Sequence, residues 1–166
     1  HGKHVITANK ALLAEHGQDL VAFAKTRHAM LLFEAAIAGG IPIVKVIKES
    51  LVANHIKKIS AILNGTANYI LTEMTQNGRA FEDALKLAQD LGYAEADPHF
   101  DLAGIDAAHK ITLLASIAFG IPISFHQVNV SGIQAITQLD VQYAKEMGYI
   151  IKPLAQTAMH LSLIHI

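Results

Sequence analysis

IDAAHKITLLASIAF, residues 105–119, predicts a helix that is buried on every face. Asp106 and Lys110 stand four residues apart and share one face, which Leu113, Leu114 and Ile117 continue. The other faces are apolar as well, and a helix that is apolar all round is typical of a protein interior. Because an unpaired buried ammonium is costly, Lys110 should be paired or should line a cavity.

Acidic residues crowd the segment before this helix, GYAEADPHFDLAG. We expect Glu95, Asp97 and Asp101 to arrive from a loop that Pro98 keeps non-helical, so that several carboxylates could converge on the helix lysine. Carboxylates with one lysine suit a small zwitterionic substrate, because acids hold its ammonium while the lysine protonates its oxygen. The alternatives are a solvated acidic loop, an exposed Asp–Lys pair worth a few tenths of a kcal/mol, and a metal site, which the lysine would disfavour.

Composition excludes several classes of protein. The 166 residues can form one domain with a sizeable core. Only 16% are charged and 52% are hydrophobic, so part of the apolar surface should be buried against something outside this chain. A net charge of -1 predicts no nucleic-acid or anionic-membrane partner. The run 111–125 is too short and too interrupted to span a bilayer.

Cysteine and histidine usage limits the metal chemistry. With no cysteine, the chain has no disulfides or thiolate ligands, and we expect a reducing, cytoplasmic setting. The ten histidines contain neither H-E-x-x-H nor an i, i+4 pair, so we expect no zinc site.

Hydrophobic patterning predicts alternating strands and helices, hence an α/β protein, with α+β layers, whose mixed sheet is covered by helices. Asn9 should cap a helix that ends at Gly17, and Gly39 should stop another. The predicted strands are 4–8, 55–63, 128–133 and 149–159, and the predicted helices are 10–17, 18–28, 30–42, 43–53, 66–77, 81–92, 105–119 and 137–148.

Lys10 is a second candidate for chemistry. It follows a predicted strand directly and opens a helix, at the strand edge where open α/β sheets bind ligands. A lysine there opposes the helix dipole unless an anion or substrate compensates. The alternative is an exposed surface lysine.

Four motifs resemble homoserine dehydrogenase, in order and at similar spacing. They are TANK (7–10), EAAIAGGIPI (34–43), ILNGTANYILT (62–72) and GYAEADPHFDLAGIDAAHK (92–110). The resemblance runs from about Val5 to about Ala155, and the final LSLIHI matches nothing expected. It implies a fragment: residues 1–30 as the remnant of a Rossmann-type NAD(P)-binding domain, 31–155 as the catalytic and dimerisation domain, and 156–166 as an unassigned tail.

The resemblance also implies an activity and its residues. The activity is NAD(P)H-dependent interconversion of aspartate 4-semialdehyde and homoserine, on the route to threonine, isoleucine and methionine. Lys110 resembles the proton donor, and Lys10 the lysine beside the nicotinamide and the reacting carbonyl. Glu95 and Asp106 resemble substrate-binding acids, and Asp101 a further acid of that pocket.

A monovalent-cation site and a homodimer are implied in the same way. Glu34 and the carbonyls of Ile37, Gly39 and Ile41 resemble the ligands of a sodium ion. The alternative is an ordinary glycine helix stop with Glu34 facing solvent. The sheet of the catalytic domain would meet that of its partner, which would account for the apolar excess.

Two departures from the family pattern affect the function. No G-x-G-x-x-G is present, so the isolated chain should bind cofactor poorly or not at all and should be inactive. Ala67 stands where the family more often has threonine. The alternatives are therefore a catalytically inactive dimerising fragment, and an oxidoreductase acting on a related amino acid, which would need altered acids at 95–106.

Overall fold

The computed structural model describes residues 2–159 and 164–165 and mixes helices with strands, as the predicted α/β class requires. The strands are β1 (Val5–Ile6), β2 (Leu31–Leu32), β3 (Lys58–Ile62), β4 (Leu154–Met159) and β5 (Ile164–His165). The helices are α1 (Lys10–Thr26), α2 (Ala35–Ala38), α3 (Ile43–Lys45), α4 (Gly65–Asn77), α5 (Phe81–Asp90), α6 (His99–Leu102), α7 (Ile105–Phe119) and α8 (Gln138–Glu146). Short helical turns lie at Val46–Ser50 and Phe125–Gln127.

The chain forms two compact units. Unit one takes the described residues of 1–60, 108–129 and 156–166, and unit two takes 61–107 and 130–155. The predicted domain boundaries after residues 30 and 155 remain predictions about the longer protein.

A βαβ motif opens unit one. Val5 pairs with Leu31 and Ile6 with Leu32 in a parallel ladder, and parallel strands need a crossover, which α1 provides. Asn9 caps α1 as predicted, because its Oδ1 accepts the N–H of Leu12 at 3.0 Å.

Two helix predictions in unit one are wrong. α1 continues through Gly17 instead of ending there, and this glycine is buried. A Cβ at Gly17 would lie 2.7 Å from Ile123 Cδ1, so the glycine permits a close approach and does not stop the helix. Leu31–Leu32 is a strand, because its ladder with β1 overrides the helical pattern of 30–42.

Other local signals are confirmed. The helix within 30–42 stops before Gly39, and 43–53 is helical from Ile43 to Ser50, its second part as a π turn. β3 lies within the predicted 55–63, and β4 occupies the end of 149–159, beside β3. One strand prediction is wrong, because residues 128–133 do not form the predicted strand.

Unit two has its own apolar core. α4, α5 and α8 are the predicted helices 66–77, 81–92 and 137–148 with slightly different ends. Their inward residues pack with Leu102 of α6 and with residues of the connecting segments. The core consists of Ala67, Ile70, Leu71, Met74, Ala84, Ala88, Ala94, Leu102, Ile133 and Val141. Packing of this kind, more than helix propensity, stabilises short helices.

The helix α7 has the predicted bounds and burial. Five successive residues, Ile111 to Ala115, are each at most 3% exposed, so every face of the helix is covered there. Among the described residues, no helix has both the length and the apolar character needed to cross a membrane.

Candidate active site

One side-chain amide gathers two of the predicted acids in unit two. Asn64 Nδ2 donates to Asp101 Oδ1 at 2.7 Å and to Asp106 Oδ2 at 3.0 Å. Its Oδ1 accepts the backbone N–H of Ala67 at 2.8 Å, so the same side chain caps α4. Asn64 and Asp106 are 5% and 6% exposed, and Asp101 is half-buried. The two carboxylates therefore lie close together, and little water can reach that of Asp106.

Asp101 lies on a helix and not on the predicted loop. The carbonyl of Pro98 accepts the N–H groups of Asp101 at 3.1 Å and Leu102 at 3.0 Å, which starts α6. The prediction that Pro98 keeps this segment non-helical is wrong, because proline is tolerated where a helix begins.

Glu95 lies between α5 and α6, and its side chain is exposed. Two side chains hold the backbone of this segment: Thr66 Oγ1 donates to the Tyr93 carbonyl at 2.7 Å, and Gln89 Nε2 donates to the Glu95 carbonyl at 3.2 Å. The Asn64 contacts reach Asp101 and not Glu95. Asn64 thus brings together two of the three predicted substrate-binding acids.

Lys110 follows Asp106 by one turn of α7 and is half-buried. Four residues of α-helix advance about 6 Å along the axis. His109, beside it, is 3% exposed, and its ring centroid lies 4.5 Å from that of Phe125. The histidine thus packs against an aromatic ring on a different side of α7 from Lys110.

Two further predicted site residues belong to unit one. Lys10 is half-buried and begins α1, four residues after the last residue of β1. The Glu34 carboxylate accepts the backbone N–H groups of Val44 at 2.8 Å and Lys45 at 3.0 Å, so it caps α3. The alternative of a Glu34 side chain that only faces solvent is therefore wrong.

The predicted cation ligands share this region of unit one. The Ile41 carbonyl accepts the N–H of Ile43 at 2.8 Å. Gly39 caps the C-terminus of α2, two residues after Ile37. A sodium ion at these carbonyls stays a prediction. Within the part of the chain that the structure describes, no three His, Asp or Glu side chains are grouped to hold a metal ion.

Sequence reasoning missed Asn64 as a site residue. The predicted helix 66–77 begins just after the Asn64–Gly65 pair, and the structure adds that Asn64 caps α4. Nothing local indicates that the amide also donates to carboxylates 37 and 42 residues away. Only the hydrogen bonds from Asn64 to Asp101 on α6 and to Asp106 in the first turn of α7 reveal this second role.

Comparison with known proteins identifies the family. The family model described as homoserine dehydrogenase matches residues 42–166. The chain is 56% identical to the homoserine dehydrogenase of Pseudomonas aeruginosa over 93% of its own length, and this match spans 36% of that relative. The chain thus covers little more than a third of such a protein.

Solved structures are similar as well. A homoserine dehydrogenase from Thiobacillus denitrificans matches 97% of this chain with a TM-score of 0.95 and 53% identity, over 37% of its own chain. A hyperthermophilic archaeal homoserine dehydrogenase in complex with NADPH matches 93%, with a TM-score of 0.75 and 29% identity, over 45% of its own chain. On this evidence, the chain belongs to the homoserine dehydrogenase family.

Proposed function

We propose that the complete protein carrying this chain interconverts L-aspartate 4-semialdehyde and L-homoserine with a nicotinamide cofactor. One observation carries the proposal: in a chain of this family the Asn64 amide holds the carboxylates of Asp101 and Asp106, and Asp106 precedes Lys110 by one turn of α7. Acids on one side of a lysine match a substrate that carries an ammonium at one end and a reacting oxygen at the other.

The proposed mechanism divides the work between the acids and the lysine. Asp101 and Asp106 bind the substrate ammonium by charge-assisted hydrogen bonds, with Glu95 as a third acid. When bound, the cofactor supplies a hydride to the aldehyde carbon. Lys110 donates a proton to the carbonyl oxygen, which becomes the hydroxyl of homoserine. In the reverse direction Lys110 accepts that proton.

Lys10 is the residue that we propose beside the nicotinamide. It follows a strand of a parallel pair, and ligands of open α/β sheets bind at that edge. The sequence contains no G-x-G-x-x-G, so these residues do not supply the loop that holds a pyrophosphate. We therefore expect the isolated chain to be inactive, and either NADPH or NADH could serve the complete enzyme.

Three further features belong to the proposal. A monovalent cation binds the carbonyls of Ile37, Gly39 and Ile41 near Glu34. The complete protein is a cytoplasmic homodimer formed through the sheet that contains β3 and β4. Exposed apolar side chains on these strands support a dimer, since Ile62 is 43% and Leu154 57% exposed.

The test is a graft of this segment into the complete Pseudomonas aeruginosa relative, assayed for NADPH oxidation that depends on aspartate 4-semialdehyde. We expect the graft to turn over, and a Lys110→Ala graft to lose kcat by roughly 10²- to 10⁴-fold. Lys86→Ala is the matched control, because Lys86 is an exposed lysine of α5.

Each outcome has a consequence. A folded graft without turnover would support the alternative of an inactive dimerising module. If the graft reduced a related amino-acid aldehyde in preference to this one, the alternative oxidoreductase would be correct. If the Lys110→Ala and Lys86→Ala grafts performed equally, Lys110 would not be the proton donor.

A further inference from the structure

The Asn64 amide is oriented by all three of its hydrogen bonds. A carboxylate oxygen can only accept, and a backbone N–H can only donate, so Nδ2 must face Asp101 and Asp106 while Oδ1 faces Ala67. With 5% of the residue exposed, water offers no ready replacement for these partners. The side chain therefore has one arrangement that satisfies it.

The amide also links three separate helices. Asn64 Oδ1 accepts the N–H of Ala67 in the first turn of α4. Asn64 Nδ2 donates to Asp101 on α6 and to Asp106 in the first turn of α7. Asp101 accepts from the amide through Oδ1 and Asp106 through Oδ2, so the amide helps to orient both carboxylates. Both accepting oxygens lie within hydrogen-bond distance of the same nitrogen, so the donors also offset the repulsion between the two acids.

We propose that Asn64 is a positioning residue, which holds Asp101 and Asp106 in the arrangement that receives the ammonium of an amino-acid substrate. This inference rests on the proposed function, because it assigns the two acids to substrate binding. Asn64 does not take part in proton or hydride transfer. Its loss should weaken recognition of the ammonium and leave the chemistry at the other end of the substrate largely intact.

The Asn64→Ser variant separates the two roles of the side chain. Serine is a good helix cap, so α4 keeps its capping oxygen, while both donors to the acids are lost. Asn64→Asp keeps the size and the cap but presents a third carboxylate to the other two. Asn54→Ser is the control, since Asn54 is exposed in unit one. All variants are made in the complete grafted enzyme.

The assay is NADP⁺-dependent oxidation of homoserine, compared with 4-hydroxybutanoate, the same molecule without its ammonium, as a slow substrate or competitive inhibitor. For Asn64→Ser we expect kcat/KM for homoserine to fall about 10- to 100-fold, mainly through KM. In the same variant, kcat/KM or the inhibition constant for 4-hydroxybutanoate and the KM for NADP⁺ should change by less than about threefold. Asn64→Asp should lower kcat/KM for homoserine more than Asn64→Ser does.

Three results would overturn the inference. Equal losses for homoserine and 4-hydroxybutanoate would mean that Asn64 supports the fold and not the ammonium site. Unchanged kinetics in a folded Asn64→Ser enzyme would make Asn64 a helix cap only. If neither variant folded, Asn64 would be a folding residue and the assignment would fail as stated. An unsubstituted graft that does not oxidise homoserine would refute the proposed function instead, which keeps the two failures distinct.

Discussion

Replacing Gly132 by alanine should separate two segments that meet beside the acidic site. Gly132 packs directly on the residues that connect α6 to α7. A Cβ at this position would overlap the Leu102 carbonyl oxygen and lie 2.9 Å from Ala103 Cα. Both are backbone atoms, so no side-chain rotation can relieve the contact, and the two segments must move apart.

The expected cost combines two terms. Overpacking a tight contact costs about 1 to 3 kcal/mol. The shift also strains the neighbouring hydrogen bond, in which the N–H of Ile133 donates to the Leu102 carbonyl at 2.8 Å. Losing it costs roughly 1 kcal/mol. We therefore expect Gly132→Ala to lower the free energy of unfolding by about 2 to 4 kcal/mol.

Urea unfolding, monitored by circular dichroism, measures this loss. The dependence of the free energy of unfolding on urea concentration, the m-value, should be the same for both proteins. Gly65→Ala is the matched control in the same unit, because a Cβ at Gly65 meets nothing within 4 Å and the residue opens α4. The free energy of unfolding of the Gly65→Ala variant should stay the same or rise by up to about 1 kcal/mol. A Gly132→Ala loss below about 0.5 kcal/mol would refute the steric argument.

Two other substitutions test local electrostatics. Glu34→Gln removes one of the two acceptors that cap α3, so the free energy of unfolding in urea should fall by roughly 1 to 2 kcal/mol. Glu49→Gln, at an exposed residue, is the control and should lower it much less. Equal losses for the two variants would contradict the capping role of Glu34. Hydrogen bonds from Thr137 lower the pKa of Asp140, so its stabilisation is present above the unfolded value of about 4 and is lost as pH falls through the folded value. Asp140→Asn should therefore be less stable than the original chain at pH 7, with a difference that shrinks in acid; a difference independent of pH would contradict this reasoning.

The candidate site was only partly readable from the sequence. The spacing of Asp106 and Lys110 predicts their shared helix face, and the helix bounds are confirmed. Pro98 was misinterpreted, because a proline signal does not distinguish a loop from the first turn of a helix. Asn64 was missed because its amide donates to acids 37 and 42 residues along the chain. The roles of the charged residues stay predictions.

The sequence by itself determined the family, the burial of α7 and the cap at Asn9. These signals act within a few residues, through side-chain spacing and hydrogen bonds to the nearest backbone N–H groups. Only the tertiary structure decided that Leu31–Leu32 is a strand, that Gly17 lies inside a helix and that one amide binds two distant acids. Each of these depends on a partner far along the chain, whose approach local propensity does not specify.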